Sequence, residues 1–133
     1  MKQRLNISSG TAWEDIVGYS RAVKVGNLVE VAGTTAVDED GNVVGINDPG
    51  AQAHFILQKI EKALQAAGAS MQDVIRTRMF VTDISRWEEV GRAHGAFFRE
   101  VKPVATMVEV RALISPELMV EIEVTAVLQP PGP

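Results

Sequence analysis

The strand-forming segments of this sequence are apolar at both parities, and no other feature constrains its fold as tightly. In one segment Val29 and Val31 oppose Leu28 and Ala32; in another, Met79 and Val81 oppose Val74 and Phe80. Successive strand side chains point to opposite faces, so a sheet built from these segments is apolar on both. Only two segments carry a sustained helical period, and two helices cover one face. The second face needs a cover, and further copies of the chain are its expected source.

Local chemistry delimits the segments. Ser20–Val25 reads as a strand, joined by the two-residue turn Gly26-Asn27 to a second strand over Leu28–Ala36. Asp40-Gly41 is another tight-turn signal, so Val43-Val44 is expected to return as a short strand, and Lys2–Ile7 to add an edge strand. Asp48 suits a helix N-cap and Pro49 the first helical position. Ile56, Ile60, Ala63, Leu64 and Ala67 then repeat at helical spacing up to Gly68. Val74–Val81 is a strand. Ser85 and Glu88 have the spacing of a capping box, which predicts that the second helix opens there. Trp87, Val90, Gly91, His94, Phe97 and Phe98 share its apolar face, and Pro103 forbids its continuation. Val104–Val110 and Val120–Val127 are the last strands. Trp13 falls in an N-terminal loop, and the prolines after Gln129 form a tail. The order predicts one α+β domain over residues 1–133, a mixed sheet with two helices on one face.

Composition narrows the function classes. The 133 residues, 46% hydrophobic and 23% charged, suit a globular domain that buries about two-thirds of its unfolded surface. There is no cysteine, which excludes disulfides, thiolate nucleophiles and cysteine-based zinc sites. Two histidines argue against a multi-histidine metal centre. A net charge of −4 is the wrong sign for neutralising phosphates, so no nucleic-acid partner is expected. No apolar run is long enough to span a bilayer, so no membrane partner is expected. The N-terminal residues lack the apolar core of a secretory signal, and a cytoplasmic location is the expectation.

The chemistry-bearing residues concentrate near the end. Phosphate-loop, dinucleotide, nucleophile-elbow and zinc-protease motifs are all missing. Alternation puts Ala105, Met107, Glu109 and Arg111 on one face of their strand, and Glu121, Glu123 and Thr125 on one face of theirs. If these strands pair antiparallel, three carboxylates and an arginine cluster, and crowded carboxylates raise one another's pKa. A solvated, salt-bridged face shows the same alternation. His94 reads as either a hydrogen-bonded core residue or a pocket residue, and Tyr19 as a loop residue that packs or closes a pocket. Arg78, inside an apolar strand, needs an anion: a glutamate or a bound carboxylate.

Several segments together resemble the RidA/YjgF family of reactive-intermediate deaminases. They are Tyr19-Ser20-Arg21-Ala22-Val23 with Gly26-Asn27, Val31-Ala32-Gly33, Gln65-Ala66-Ala67-Gly68, Phe80-Val81-Thr82-Asp83, Ala96-Phe97-Phe98 and Val120-Glu121-Ile122-Glu123, in order over about residues 17–128. The resemblance implies a chorismate-mutase-like two-layer fold, a homotrimer whose sheets line a central barrel, and clefts between subunits. It implies cofactor-free hydrolysis of enamines and imines to 2-oxo acids and ammonia. Residue by residue, the loop tyrosine corresponds to Tyr19, the strand Ser-Gly to Ala32-Gly33, and the water-orienting glutamate to Glu121. The helix asparagine falls on Gly91, the arginine that clamps the substrate carboxylate on Ala105, and a cysteine on Met107.

Alanine cannot replace a bidentate guanidinium, so this chain looks like a divergent member with a changed substrate. The expected site has Glu121 and Tyr19 as catalytic residues. Ala32, Gly33, Thr34, Gly91, His94, Ala105, Thr106, Met107 and Arg78 are its substrate-binding residues, with no cofactor and no metal. The expected function is a hydrolase or deaminase acting on a small imine, enamine or related metabolite. The alternative is a trimeric small-molecule binding protein without turnover.

Overall fold

The computed structural model describes residues 3–129. The expected first strand residue Lys2 and the terminal prolines lie outside that range. Six strands form one sheet: β1 (Arg4–Ile7), β2 (Ala22–Val25), β3 (Leu28–Thr34), β4 (Val74–Val81), β5 (Val104–Glu109) and β6 (Val120–Val127). Their spatial order is β1-β2-β3-β6-β4-β5, antiparallel throughout except for β4 against β5. Three helices accompany them, α1 (Ala12–Val17), α2 (Pro49–Ala66) and α3 (Trp87–Phe98). The last connects the two parallel strands, a crossover that parallel pairing requires.

The antiparallel β5–β6 pair on which a carboxylate cluster depended is not formed, because β4 lies between them. Burial explains the order. Val120, Ile122, Val124 and Ala126 of β6 are all buried, as a central strand demands, whereas β5 is largely exposed and takes the edge. Val29 and Val31 of β3 and Thr77, Met79 and Val81 of β4 join the same buried face. Ile56, Leu57, Ile60 and Leu64 of α2, with Val90 and Phe98 of α3, close the core.

The opposite face is less apolar than the sequence suggested. Leu28, Phe80 and Val108 lie on it, but Glu30, Arg76, Arg78, Glu121 and Glu123 occupy its middle. It is a mixed face, with ion pairs flanked by hydrophobic patches.

Capping chemistry holds at one helix and fails at the other. The Asp48 carboxylate accepts the Ala51 N–H at 3.0 Å and starts α2 with Pro49 at its first position. Ser85 does not cap α3. The Asp83 carboxylate takes both the N–H and the hydroxyl of Ser85, at 3.0 and 2.6 Å, and stabilises a 3-10 turn over Ile84–Arg86. The helix then begins at Trp87, and Glu88 pairs with Arg92 instead of reaching back. Val43 makes only an isolated bridge to Val37, not a strand.

The helix α1 replaces the expected N-terminal loop. It is too short to show a period, and its polarity is inverted: Trp13, Ile16 and Val17 are exposed while Glu14 is buried. The Glu14 carboxylate accepts the Ser9 N–H and hydroxyl at 2.9 and 2.5 Å.

A buried glutamine ties α2 to the loop before β6. Gln52 donates to the Gly45 and Glu117 carbonyls at 3.1 and 3.0 Å and accepts the Met119 N–H at 2.8 Å. Leucine fills the same space without satisfying any of the three. An unsatisfied buried polar group costs about 1–3 kcal/mol, so Gln52→Leu should lower stability by at least about 2 kcal/mol. A urea-melt midpoint unchanged from wild type would refute this account of the tie.

Candidate active site

A bulge in β3 shapes the candidate site. Regular pairing with β6 runs from Leu28↔Val127 to Val31↔Val124, breaks, and resumes at Thr34↔Ile122. The bulge leaves Gly33 against Glu121. A Cβ built at Gly33 would collide with the Glu121 carboxylate and lie 3.0 Å from its Cδ and 3.3 Å from its Cγ. Only glycine leaves that space to the carboxylate.

Two cations hold the backbone at the bulge and just after it. Arg21 accepts the Ala32 N–H at its own carbonyl, at 3.0 Å, and donates from its guanidinium to the Gly33 carbonyl at 2.7 Å. Its Nε is buried without a partner among the described residues. Lys59 of α2 donates to the Thr35 and Val37 carbonyls at 2.8 and 2.9 Å. Burial, aided by the nearby Arg21 charge, holds the Lys59 ammonium below its ordinary pKa. Tyr19 follows the left-handed Gly18 that ends α1, and its half-exposed ring stands 6.0 Å from the Arg21 guanidinium carbon. The sequence reading assigned Arg21 no role; its position two residues after Tyr19 was the available signal.

Glu121 is half-buried and titrates above the ordinary glutamate range. Burial is the main cause; Arg21 opposes it and Glu123 adds to it. The elevated value comes from desolvation rather than from a three-carboxylate cluster. Glu123 is instead neutralised by Arg78 at 3.2 Å, and the Glu109 carboxylate accepts the Ile84 N–H at 3.0 Å. The partner that Arg78 needed is thus a glutamate.

The remaining candidates divide between the two faces of the sheet. Ala32 and Gly33 accompany Glu121 on the open face, and Thr106, in register with Arg78, lies on that face at the far edge. Ala105 and Met107 do not join them: they are in register with Thr77 and Met79, whose side chains face the helices. Thr34 is only 1% exposed, and its hydroxyl donates to the Ala32 carbonyl at 2.8 Å. The bulge has returned Thr34 to the buried parity, so its side chain is unavailable to a ligand. His94 of α3 is half-buried, with Nε2 2.8 Å from the fully buried Thr77 hydroxyl and its ring 4.7 Å from that of Phe98. Gly91 is one turn earlier on that helix, with the largely exposed Trp87 beyond it.

Within one chain the candidate residues therefore fall into two groups. Glu121, Gly33 and Tyr19 belong to the first; Ala105, Met107, Gly91 and His94 belong to the second. A shallow groove of about 340 Å³ runs along the open face past Ser20, Ala32, Arg78 and Glu123, but Glu121 does not line it. Among the described residues no cluster of histidine and carboxylate side chains has the makings of a metal site, and no helix is long and apolar enough to cross a membrane.

The sequence pattern of the family described as Endoribonuclease L-PSP, the YjgF/RidA family, matches residues 9–128. This chain belongs to that family. A solved YjgF-family relative, Rv2704 of Mycobacterium tuberculosis, is 51% identical and superposes with a TM-score of 0.86, covering 95% of this chain and all of that one. An uncharacterized protein of Streptomyces coelicolor is 37% identical over 120 residues, 90% of this chain and 89% of the relative. The 3-aminoacrylate deaminase RutC of Acinetobacter baylyi is 30% identical over 122 residues, 92% of this chain and 95% of the relative. The YjgF-family fold thus agrees with the two-layer arrangement reached from the sequence.

The raised Glu121 pKa makes a stability prediction with a definite sign. A group whose folded pKa lies above its unfolded value favours folding below the unfolded pKa and loses that contribution as pH rises through the folded pKa. Glu121→Gln cannot ionise, so its stability relative to wild type should increase as pH rises from the ordinary glutamate pKa of about 4.3 through the raised folded one. Thermal melts of both proteins across that window check it; a difference that shrinks with rising pH has the wrong sign.

Proposed function

We propose that this chain is a cofactor-free hydrolase or deaminase of a small imine, enamine or related metabolite, working in a cleft between subunits of a homotrimer. The observation that carries this reading is the Glu121 carboxylate, desolvated, seated on Gly33 and titrating above its ordinary range. Such a group suits proton transfer to and from water. The relative named for 3-aminoacrylate deamination, an enamine reaction, supports the class.

In this reading the ionised Glu121 removes a proton from a water whose oxygen bonds to the imine carbon. The carbon–nitrogen π electrons move to nitrogen, which gains a proton from solvent. Glu121 then returns to nitrogen the proton it took, ammonia leaves with the carbon–nitrogen bonding pair, and the new hydroxyl becomes a carbonyl as its proton passes to solvent. An enamine enters the same path after protonation at carbon. Tyr19 closes the pocket and the Gly33 backbone borders the substrate.

Two copies are needed because Glu121 and the Ala105–Met107 wall face opposite sides of one sheet. A trimer of about 43 kDa, three times 14.4 kDa, is the expected solution state. Light scattering that finds a stable monomer at micromolar concentration removes the cleft from the proposal.

The substrate is expected to differ from 2-iminopropanoate and 2-iminobutanoate. The helix-facing side of β5 carries Ala105, Met107 and Glu109 and no cation. Arg78 is paired with Glu123, and one nitrogen of Arg21 is held by the Gly33 carbonyl. A carboxylate entering there loses water without gaining a partner. We expect little acceleration of 2-iminobutanoate hydrolysis, and ammonia release from the imine of 2-oxobutanamide, its neutral counterpart. Glu121→Gln should lower that kcat by about 10²-fold or more, as for loss of a general base. Equal rates for wild type and variant overturn the role of Glu121, and rapid turnover of 2-iminobutanoate overturns the altered specificity. Ribonuclease activity is not favoured: the net charge is −4, and arginines on the open face stand among glutamates.

A further inference from the structure

The Thr77–His94 contact fixes which nitrogen of the imidazole carries the proton. Thr77 is fully buried, and its hydroxyl lies within hydrogen-bond reach of one side-chain group, His94 Nε2 at 2.8 Å. A buried hydroxyl proton needs an acceptor, and Nε2 is the acceptor at hand. Were Nε2 the donor instead, the Thr77 proton would point into apolar core with nothing to bind. Nε2 therefore accepts, and the neutral ring holds its proton on Nδ1. Burial of His94 favours this neutral ring. The Nδ1 atom has no protein partner among the described residues, yet it is not among the buried unsatisfied atoms. It is therefore not sealed from solvent.

We infer that His94 is a fixed hydrogen-bond donor, presenting Nδ1–H to a carbonyl or amide oxygen of a neutral ligand, with Thr77 as its positioning residue. The ligand clause rests on the cleft reading above; the tautomer clause stands without it. The surroundings select for neutrality. Ala105, in register with Thr77, and Met107 beyond it are uncharged, and so is Gly91 one turn before His94. The ionisable group on that side of β5 is Glu109, which repels an anion. A carbonyl or amide oxygen needs one donor and brings no charge to desolvate. In this role His94 binds the ligand and is not the proton-transfer base.

The two histidines of this chain make the test direct. Long-range proton–nitrogen NMR on histidine-labelled protein, with His54→Gln to assign the signals, reads the tautomer. The Nδ1–H form is expected for His94 in wild type and in Thr77→Ser, which keeps the hydroxyl. Thr77→Val, which removes it, should shift the ring toward the Nε2–H form preferred in water. An Nε2–H ring in wild type, or a tautomer unmoved by Thr77→Val, overturns the assignment. Titration with propanamide should then shift the Nδ1 resonance of wild type, with a smaller effect from acetate at equal concentration. No shift with propanamide, or a larger one with acetate, overturns the ligand clause. Because none of these measurements needs turnover, failure of the imine assay and failure of this inference are separately visible.

Discussion

The placement of β6 between β3 and β4 governs the rest of the molecule. A strand paired on both sides and packed beneath α2 has one parity fully buried and the other committed to the opposite face. Val120, Ile122, Val124 and Ala126 fill the buried parity, so Glu121 and Glu123 have nowhere to point but away from the helices. Each carboxylate then meets a different neighbour. Glu123 finds Arg78 across the β4 register and is neutralised. Glu121 finds the bulge, where there is backbone and a glycine, and burial raises its pKa. The same alternation thus yields one structural ion pair and one perturbed acid.

The bulge is the second requirement, and it is held by charge. A bulge leaves backbone groups outside the ladder, and near the core these need partners. Arg21 and Lys59 supply them for the carbonyls of Gly33, Thr35 and Val37. Both cations lie partly out of water, where charge-assisted hydrogen bonds are stronger than neutral ones. The arrangement also keeps a positive charge near Glu121, which limits how far burial raises its pKa. Support of the backbone and tuning of the acid are one feature seen from two sides.

What could be read from the sequence follows the range of the forces involved. The Asp48 cap, the Gly26-Asn27 turn and the stop at Gly68 depend on a few neighbouring residues, and each is found where expected. The start of α3 is equally local but was misread, because Asp83 competes for the Ser85 hydroxyl and wins with a charged acceptor. The short helix α1 hid because its buried residue is a glutamate and its exposed ones are apolar. Strand order is nonlocal, so the placement of β5 and β6 was not legible from alternation alone. Glu121 was legible because parity and family resemblance agree on it. The support that Arg21 gives and the burial of Thr34 were not legible for one reason: both depend on a bulge, and a period-two reading has no place for an extra residue.

The division of the candidate site between two faces has a chemical consequence. The wall with Ala105, Met107 and Gly91 offers shape and His94, but no acid aligned with its face other than Glu109, which is engaged by the Ile84 N–H. The wall with Glu121 offers an acid and an accessible strand backbone, but within one chain no enclosure around the carboxylate. In the proposed reaction, binding geometry and proton transfer are therefore assigned to separate surfaces. If they meet, they do so across a boundary between chains, and the excluded water that strengthens both arises from assembly. A substitution on β5 would then change which ligand is held without touching the acid. In the proposed reaction, the alanine at position 105 and the glutamate at position 121 are compatible because they would answer to different parts of the chemistry.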